Sequence, residues 1–284
     1  MKRAVIIDSL VDLPPFFKST LKILSVGFKV YIDGEEYTDG VTISKEEFYE
    51  KASRTDDLRT SYPPPDETLE YYRELEREGV EEVLALHLPA KVSGFINSLS
   101  TVLKNVSMKV KVIDLRTLSG GAGMVAAKLI GLFERGMDFE EIEKMFWKFR
   151  KNLLLQFSVK TLDFLIKNGR IGKAKGLIGK LLNILPILTV DEEGEVSALD
   201  KIRGRNKVLK RMVENVLRFV EGKGNIELVV GWGADTMKET AMKLKDMIFE
   251  VLGDRIEKYG EIRISPTVAC HAGPEVFGVS VYAE

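Results

Sequence analysis

The stretch EVLALHLPAKVSGFINSLSTVLKNVSMKVKVID, residues 82–114, decides the fold class. Residues 82–88 are a near-continuous apolar run of strand length. Residues 93–105 read as a helix, and 109–114 as a second strand that ends in an aspartate. Strand, helix and strand in this order are the unit of a parallel sheet covered by helices.

The pattern extends both ways. Upstream, residues 3–7 form a first strand that also ends in an aspartate, at Asp8-Ser9. Residues 21–32 contain strand-like stretches before a turn at Asp33-Gly34. Ser44 opens a helix through a capping box with Glu47. RTSYPPP, residues 59–65, reads as a stiff loop because proline fixes φ. Asp66 then caps a helix that runs to about Glu78 and stops at Gly79. Downstream, 120–135 and 138–151 are helices with Gly136 between them. Sites on such sheets lie at the carboxyl ends of strands, here Asp8-Ser9, Leu88-Pro89 leading to Ser93, and Asp114.

A second unit begins near Leu153. It contains a strand over 153–159, a helical turn over 162–168, and a hairpin of 187–190 with 196–202 around Glu193-Gly194. An amphipathic helix over 206–220 shows Val208, Leu209, Met212, Val213, Val216, Leu217 and Val220 on one face. A strand at 226–230, a helix at 235–251 and strands at 256–264 and 276–282 follow. The last two flank a loop, 266–274, that holds Cys270 and His271. No linker rich in Pro or Ser separates the units, so they are expected to pack tightly.

The 284 residues suffice for one large or two ordinary domains. Hydrophobic residues make up 45% and charged residues 30%, which is the balance of a soluble globular chain. A formal net charge of −1 leaves no global footprint for nucleic acid. Cys270 is the only cysteine, so an intrachain disulfide and a multi-cysteine zinc site are excluded, and a reducing, cytoplasmic setting is expected. The apolar run before Asp8 is too short for a signal-peptide core, and no segment approaches membrane-span length.

Several motifs allow more than one chemistry. GRIGKAKGLIGKLLNILPILTVDEEGEVSALDKIRGRNKVL, residues 169–209, puts cations, then an apolar run, then cations in succession. That suits a ligand with a charged head and an oily tail, or an ordinary buried segment with solvated ends. Gly121-Ala122-Gly123-Met124-Val125-Ala126 matches G-x-G-x-x-A, but the acidic residue due about twenty positions later falls in a helix. Close helix packing explains these glycines better. Ser93 or Ser9 with His271 and Asp8 or Asp114 is the chemical set of a serine hydrolase, without the G-x-S-x-G elbow. His87 sits in an apolar strand and reads as a hydrogen-bonded core residue. Arg203, beside Gly204 ahead of a helix, is the better anion ligand of the basic cluster KIRGRNKVLKR.

In order along the chain, these pieces resemble the DegV family, bacterial fatty-acid-binding proteins that serve as the B subunit of fatty acid kinase. Asp8-Ser9 with Asp12-Leu13-Pro14 resembles the family's D-S-x-x-D-L-P. Thr60-Ser61 with Pro63 and Pro65 resembles T-S-x-P-x-P, and Ser93-Gly94 with Ser98 resembles S-G-T-Y-x-S. Gly169-Arg170-Ile171, Pro186-Ile187-Leu188 and Lys201-Ile202-Arg203-Gly204 resemble the central pattern, and His271-x-Gly273-Pro274 resembles H-x-G-P-G. The chain departs from that pattern at Leu10, Tyr62, Pro64, Pro89-Ala90, Phe95-Ile96 and Glu275.

The resemblance implies a two-domain α/β fold. Residues 1–152 would form a three-layer α/β/α domain with a parallel sheet and the head-group loops. Residues 153–284 would form a two-layer α/β domain with a mixed sheet and an acyl-chain tunnel. It implies a carboxylate site drawn from Thr60, Ser61, Ser93, Gly94, Arg203, His271, Asp8 and Ser9. A tunnel could be lined by Leu155, Phe157, Leu165, Leu177, Ile178, Leu181, Leu182, Ile184, Leu185 and Ile187. It implies a non-catalytic carrier without cofactor or metal that presents a long-chain fatty acid to an ATP-dependent kinase subunit. Lys173, Lys175 and Arg205 are candidate partner contacts or solvated surface.

The physics agrees. Each buried methylene contributes about 0.8 kcal/mol, so a chain of about 14 offers roughly 11 kcal/mol gross before association costs. The buried carboxylate needs donors or a cation. The alternatives are a lipid-acting hydrolase using Ser93 and His271, or a regulatory module for another lipid or small acid.

Overall fold

The computed structural model describes residues 1–177 and 184–284, without the side chains of Ile184, Arg203, Arg205 and Asn206. Strands β1 (Arg3–Asp8), β2 (Lys22–Val26), β6 (Glu82–His87) and β7 (Lys109–Asp114) form a parallel sheet in the order β2-β1-β6-β7. Residues along β1 and β6 alternate between its faces with the period of two that a pleated strand imposes. Ala4, Ile6, Val83 and Ala85 pack under α2 (Pro65–Arg77) and α3 (Phe95–Val102). Val5, Ile7, Leu84 and Leu86 pack under α4 (Ser119–Glu134) and α5 (Phe139–Lys151).

A second sheet, of mixed direction, has the order β10-β9-β8-β13-β11-β12. Its strands are β8 (Leu153–Val159), β9 (Ile184–Val190), β10 (Val196–Arg203), β11 (Ile226–Trp232), β12 (Ile256–Arg263) and β13 (Val276–Tyr282). α7 (Arg205–Phe219) and α8 (Lys238–Leu252) bury one face of it. Every strand of the first sheet precedes Asn152, and every strand of the second follows it.

α4 joins the two sheets. It is apolar nearly all round, the pattern of a helix buried on every side, and its core also takes in Val229, Ile262 and Tyr282 of the second sheet. Gly121-Ala122-Gly123 is what lets it approach so closely. A β-carbon on Gly123 would stand 1.8 Å from the Asp12 carbonyl oxygen, and one on Gly121 would meet Thr117 Oγ1 at 2.8 Å. The glycine fingerprint is thus a packing device.

Three expectations are corrected. RTSYPPP is a loop only in its second half, because Leu58–Ser61 forms strand β5. β5 pairs with β3 (Lys29–Ile32), which pairs in turn with β4 (Glu35–Thr38) through a tight turn with positive φ at Asp33 and Gly34. Asp66 caps nothing: α2 starts at Pro65, where the ring's fixed φ suits the first helical position. Residues Pro266–Ala272 are a short helix, α9, where a loop was expected. Asp39 caps it from across the chain, accepting from Thr267 N at 3.1 Å and Thr267 Oγ1 at 2.6 Å. That acceptor is distant in sequence. α9 packs with α1 (Lys45–Ala52) on the small sheet of β3, β4 and β5. The capping box of Ser44 and Glu47 opens α1 as expected, and Leu217 is 37% exposed, off the buried face of α7.

Candidate functional site

A cavity opens between the free face of the second sheet and the small sheet with α9. The space empty of protein atoms there is about 1150 Å³, open solvent at the mouth included. Strand alternation decides its wall. In β8, Leu155 and Phe157 face the cavity, while Leu154 and Gln156 lie under α7. In β9, Val190 faces it, while Leu185 and Ile187 pack into the α7–α8 core. Val229, Gly231, Ile262, Val276 and Gly278 continue the wall.

The mouth is polar. β5 carries Thr60, whose Oγ1 lies 2.8 Å from His271 Nε2 near the end of α9. His271 Nδ1 is buried with no hydrogen-bond partner among the described residues. Burial, and secondarily the Arg170 charge, pushes the imidazolium down to about 4, so the ring is neutral near pH 7. If Nε2 carries the ring proton, Thr60 Oγ1 accepts it and the Thr60 hydroxyl is free to donate into the cavity.

Ser93 lines the same end, its Oγ accepting from Phe95 N at 3.2 Å at the start of α3. Arg170 reaches across from the turn after α6 (Asp163–Lys167), donating from Nε to Val92 O at 3.1 Å and from Nη1 to Asn168 O at 2.6 Å. It thereby lies beside the Val92-Ser93 segment. Among the described residues no carboxylate pairs with it, so its charge faces the cavity mouth uncompensated. Exposed Ser61 and the 41%-exposed ring of Tyr62 complete the rim.

The expected site residues therefore divide. Thr60, Ser61, Ser93 and His271 converge, and Leu155, Phe157 and Leu165 line the cavity. Gly94 lies beside the Tyr62 ring, off the wall. Asp8 is fully buried and committed elsewhere, accepting from Leu10 N at 3.0 Å and Leu88 N at 2.8 Å, with His87 Nδ1 at 3.2 Å. It ties the end of β1 to the end of β6. Ser9 Oγ accepts from Phe28 N at 3.3 Å and lies 3.4 Å from Thr267 Oγ1, behind the cavity wall. Leu177 is buried in a cluster with Leu188 and Val196, and of these only Val196 lines the cavity. Ile178, Leu181 and Leu182 lie outside the described residues, as do the side chains of Ile184, Arg203 and Arg205. Lys173 is held by Asp191 at 2.7 Å and Glu193 at 2.9 Å, and Lys175 is exposed.

The hydrolase constellation does not assemble around His271. Among the described residues no carboxylate bonds its ring; Asp8 sits against His87, and Asp114 accepts from Ala90 N and Arg116 N. A base held near 4 is also poorly matched to neutral pH. Arg170 is the residue that the sequence reading left without a role. Its signal was the Gly169-Arg170-Ile171 motif, where Gly169 takes a φ of 68° to end α6.

A family model described as DegV, an uncharacterised protein family, matches residues 2–284. A DegV domain-containing protein of Deinococcus radiodurans is 32% identical over 99% of this chain and 98% of its own. A DegV family protein of Thermus thermophilus, described for its fatty acid binding, superposes with a TM-score of 0.90 at 29% identity, covering both chains in full. A stearic acid-binding protein of Eubacterium ventriosum shares the fold at 24% identity, with a TM-score of 0.86 over 99% of this chain and 98% of its own.

Proposed function

This chain belongs to the DegV family, and from that premise we propose that it binds one long-chain fatty acid without catalysis of its own. The observation that carries the reading is an apolar cavity whose polar features at the mouth are donors and an unpaired cation. A carboxylate needs that set, and a hydrocarbon tail needs the rest. The acid enters tail first. Its carboxylate takes hydrogen bonds from Thr60 and Ser93 and the charge of Arg170, with neutral His271 orienting Thr60 from behind. Arg203 remains in this proposal as a second cation.

Held at the open end, the carboxylate is presented to an ATP-dependent fatty acid kinase, which phosphorylates it. The carrier works in the cytoplasm and needs no cofactor. It uses 1–152 for the head-group loops and 153–284 for most of the tail wall.

Mass spectrometry of an organic extract of the purified protein tests the reading. A long-chain acid at about one per chain is expected if this cavity holds one ligand. No extracted lipid, together with no binding of added fatty acids, would remove it. Turnover of p-nitrophenyl acyl esters that is lost in Ser93→Ala would remove the non-catalytic part alone.

A further inference from the structure

The inner end of the cavity is not plain hydrocarbon. α4 begins there, and Ser119 and Gly120 of its first turn line the wall beside Val229, Ile262 and Ser280. A β-carbon on Gly120 would stand 2.9 Å from Ile262 Cδ1, 3.1 Å from Val229 Cγ1 and 3.2 Å from Ser280 Oγ. The missing side chain is therefore what leaves the Ser280 hydroxyl open to the cavity.

The Ser280 side chain is only 3% exposed and makes no hydrogen bond among the described residues, while its backbone is paired with Val229 of β11 and Leu155 of β8. It interrupts β13, VFGVSVY, which is otherwise apolar or glycine until its terminal Tyr282. The helix start adds donors. Ser119 N donates to Leu10 O and Ala122 N to Leu118 O, while the Gly120 and Gly121 amides find no acceptor among the described residues. The helix dipole favours an electron-rich atom at this place. Thr117 Oγ1, buried and unpartnered, sits against the same turn.

A methyl terminus would leave all of these groups unsatisfied, and an alanine or valine at position 280 would serve it better. Resting on the fatty-acid reading, we infer that the inner end of the cavity is a second recognition point, built by Ser280 and the first turn of α4. It takes an oxygen carried near the far end of the acyl chain. The ligand class is a long-chain acid oxygenated at or near its terminus, with the carboxylate at Thr60 and the distal hydroxyl or carbonyl at Ser280.

Isothermal titration of the full chain tests this, with saturated acids from dodecanoic to octadecanoic and their ω-hydroxy derivatives. At the length that spans the cavity, the ω-hydroxy acid is expected to bind roughly fivefold tighter than the plain acid, the value of one added hydrogen bond. Ser280→Ala is expected to abolish that advantage and to leave the plain acid within about twofold, since no hydrogen bond to it is lost. ω-Hydroxy acids bound about tenfold more weakly at every length, as an apolar end would impose, would overturn the inference. So would an advantage that survives Ser280→Ala. Plain acids that bind while their hydroxy derivatives are rejected sink this inference alone; binding of neither series sinks the fatty-acid reading with it.

Discussion

Arg170 and His271 divide the electrostatic work at the mouth of the cavity. Arg170 spends donors on two backbone carbonyls and keeps its full charge for a ligand. Arg170→Gln is expected to weaken binding of a long-chain acid by ten- to a hundredfold, a charge-assisted bond being worth about 1.5–3 kcal/mol. The alcohol of the same length should lose severalfold at most, and titration of both ligands separates lost charge from lost packing. His271 acts as a neutral group. Its folded value of about 4 lies below the usual 6.5, so the unfolded chain binds this proton more readily. The contribution is fully present above about pH 6.5 and is lost as pH falls through about 4. Compared with His271→Gln, the parent chain should therefore lose up to about 3 kcal/mol of stability over that window. Urea titrations at several pH values check the difference. Asp39 works in the opposite sense: burial raises it to about 6, so its share is present below about pH 4 and fades as pH rises through 6.

At the scale of elements, α9 is the informative case. It carries His271 and Val268 to the cavity, yet its own first turn lacks a local cap: Ser265 makes no side-chain capping bond, and its hydroxyl is unpartnered. Asp39 supplies the acceptor from the loop after β4. Asp39→Ala is expected to cost about 1–2 kcal/mol, the usual worth of an N-cap, and to weaken fatty-acid binding as well, because α9 positions His271. Denaturation and binding measured on the same variant check both. A local reading of 266–274, PTVACHAGP, sees prolines at both ends and a glycine beside one of them and expects a loop. What makes the segment helical is a carboxylate more than two hundred residues away. β5 tells the same story: Thr60-Ser61 is strand only because β3 lies alongside it. By contrast, α4 could be read correctly, since an all-round apolar helix with glycines on its approach can be stable only between other layers.

For the whole molecule, the cavity wall draws on both large units, from Thr60 and Ser93 to Phe157 and Val276. A ligand seated there binds the folded chain and has no site on the unfolded one. A fatty acid at about a hundred times its Kd should add about 2.7 kcal/mol of stability, which for a chain of this size raises Tm by roughly 5 °C. Thermal melts with and without acid check this, and the methyl ester, lacking the charge, should give a clearly smaller shift.

By itself the sequence determined the alternation of strands and helices and the parallel first sheet, and its motif order singled out Thr60, Ser93 and His271, which the fold brings to one cavity. Those features are written in local periodicity, turn chemistry and motif order, which need no distant partner to be legible. The tertiary structure alone decided which apolar residues face the cavity. Leu155 and Phe157 do, while Leu185 and Ile187, equally apolar, pack under α7. It also decided that Asp8 anchors His87 and that Arg170 stands at the mouth. The physical reason is that a strand has two faces with identical local chemistry, and an arginine or a carboxylate has no fixed partner until folding supplies one. Which face is core and which is cavity depends on what packs against it, and that is a property of the whole chain.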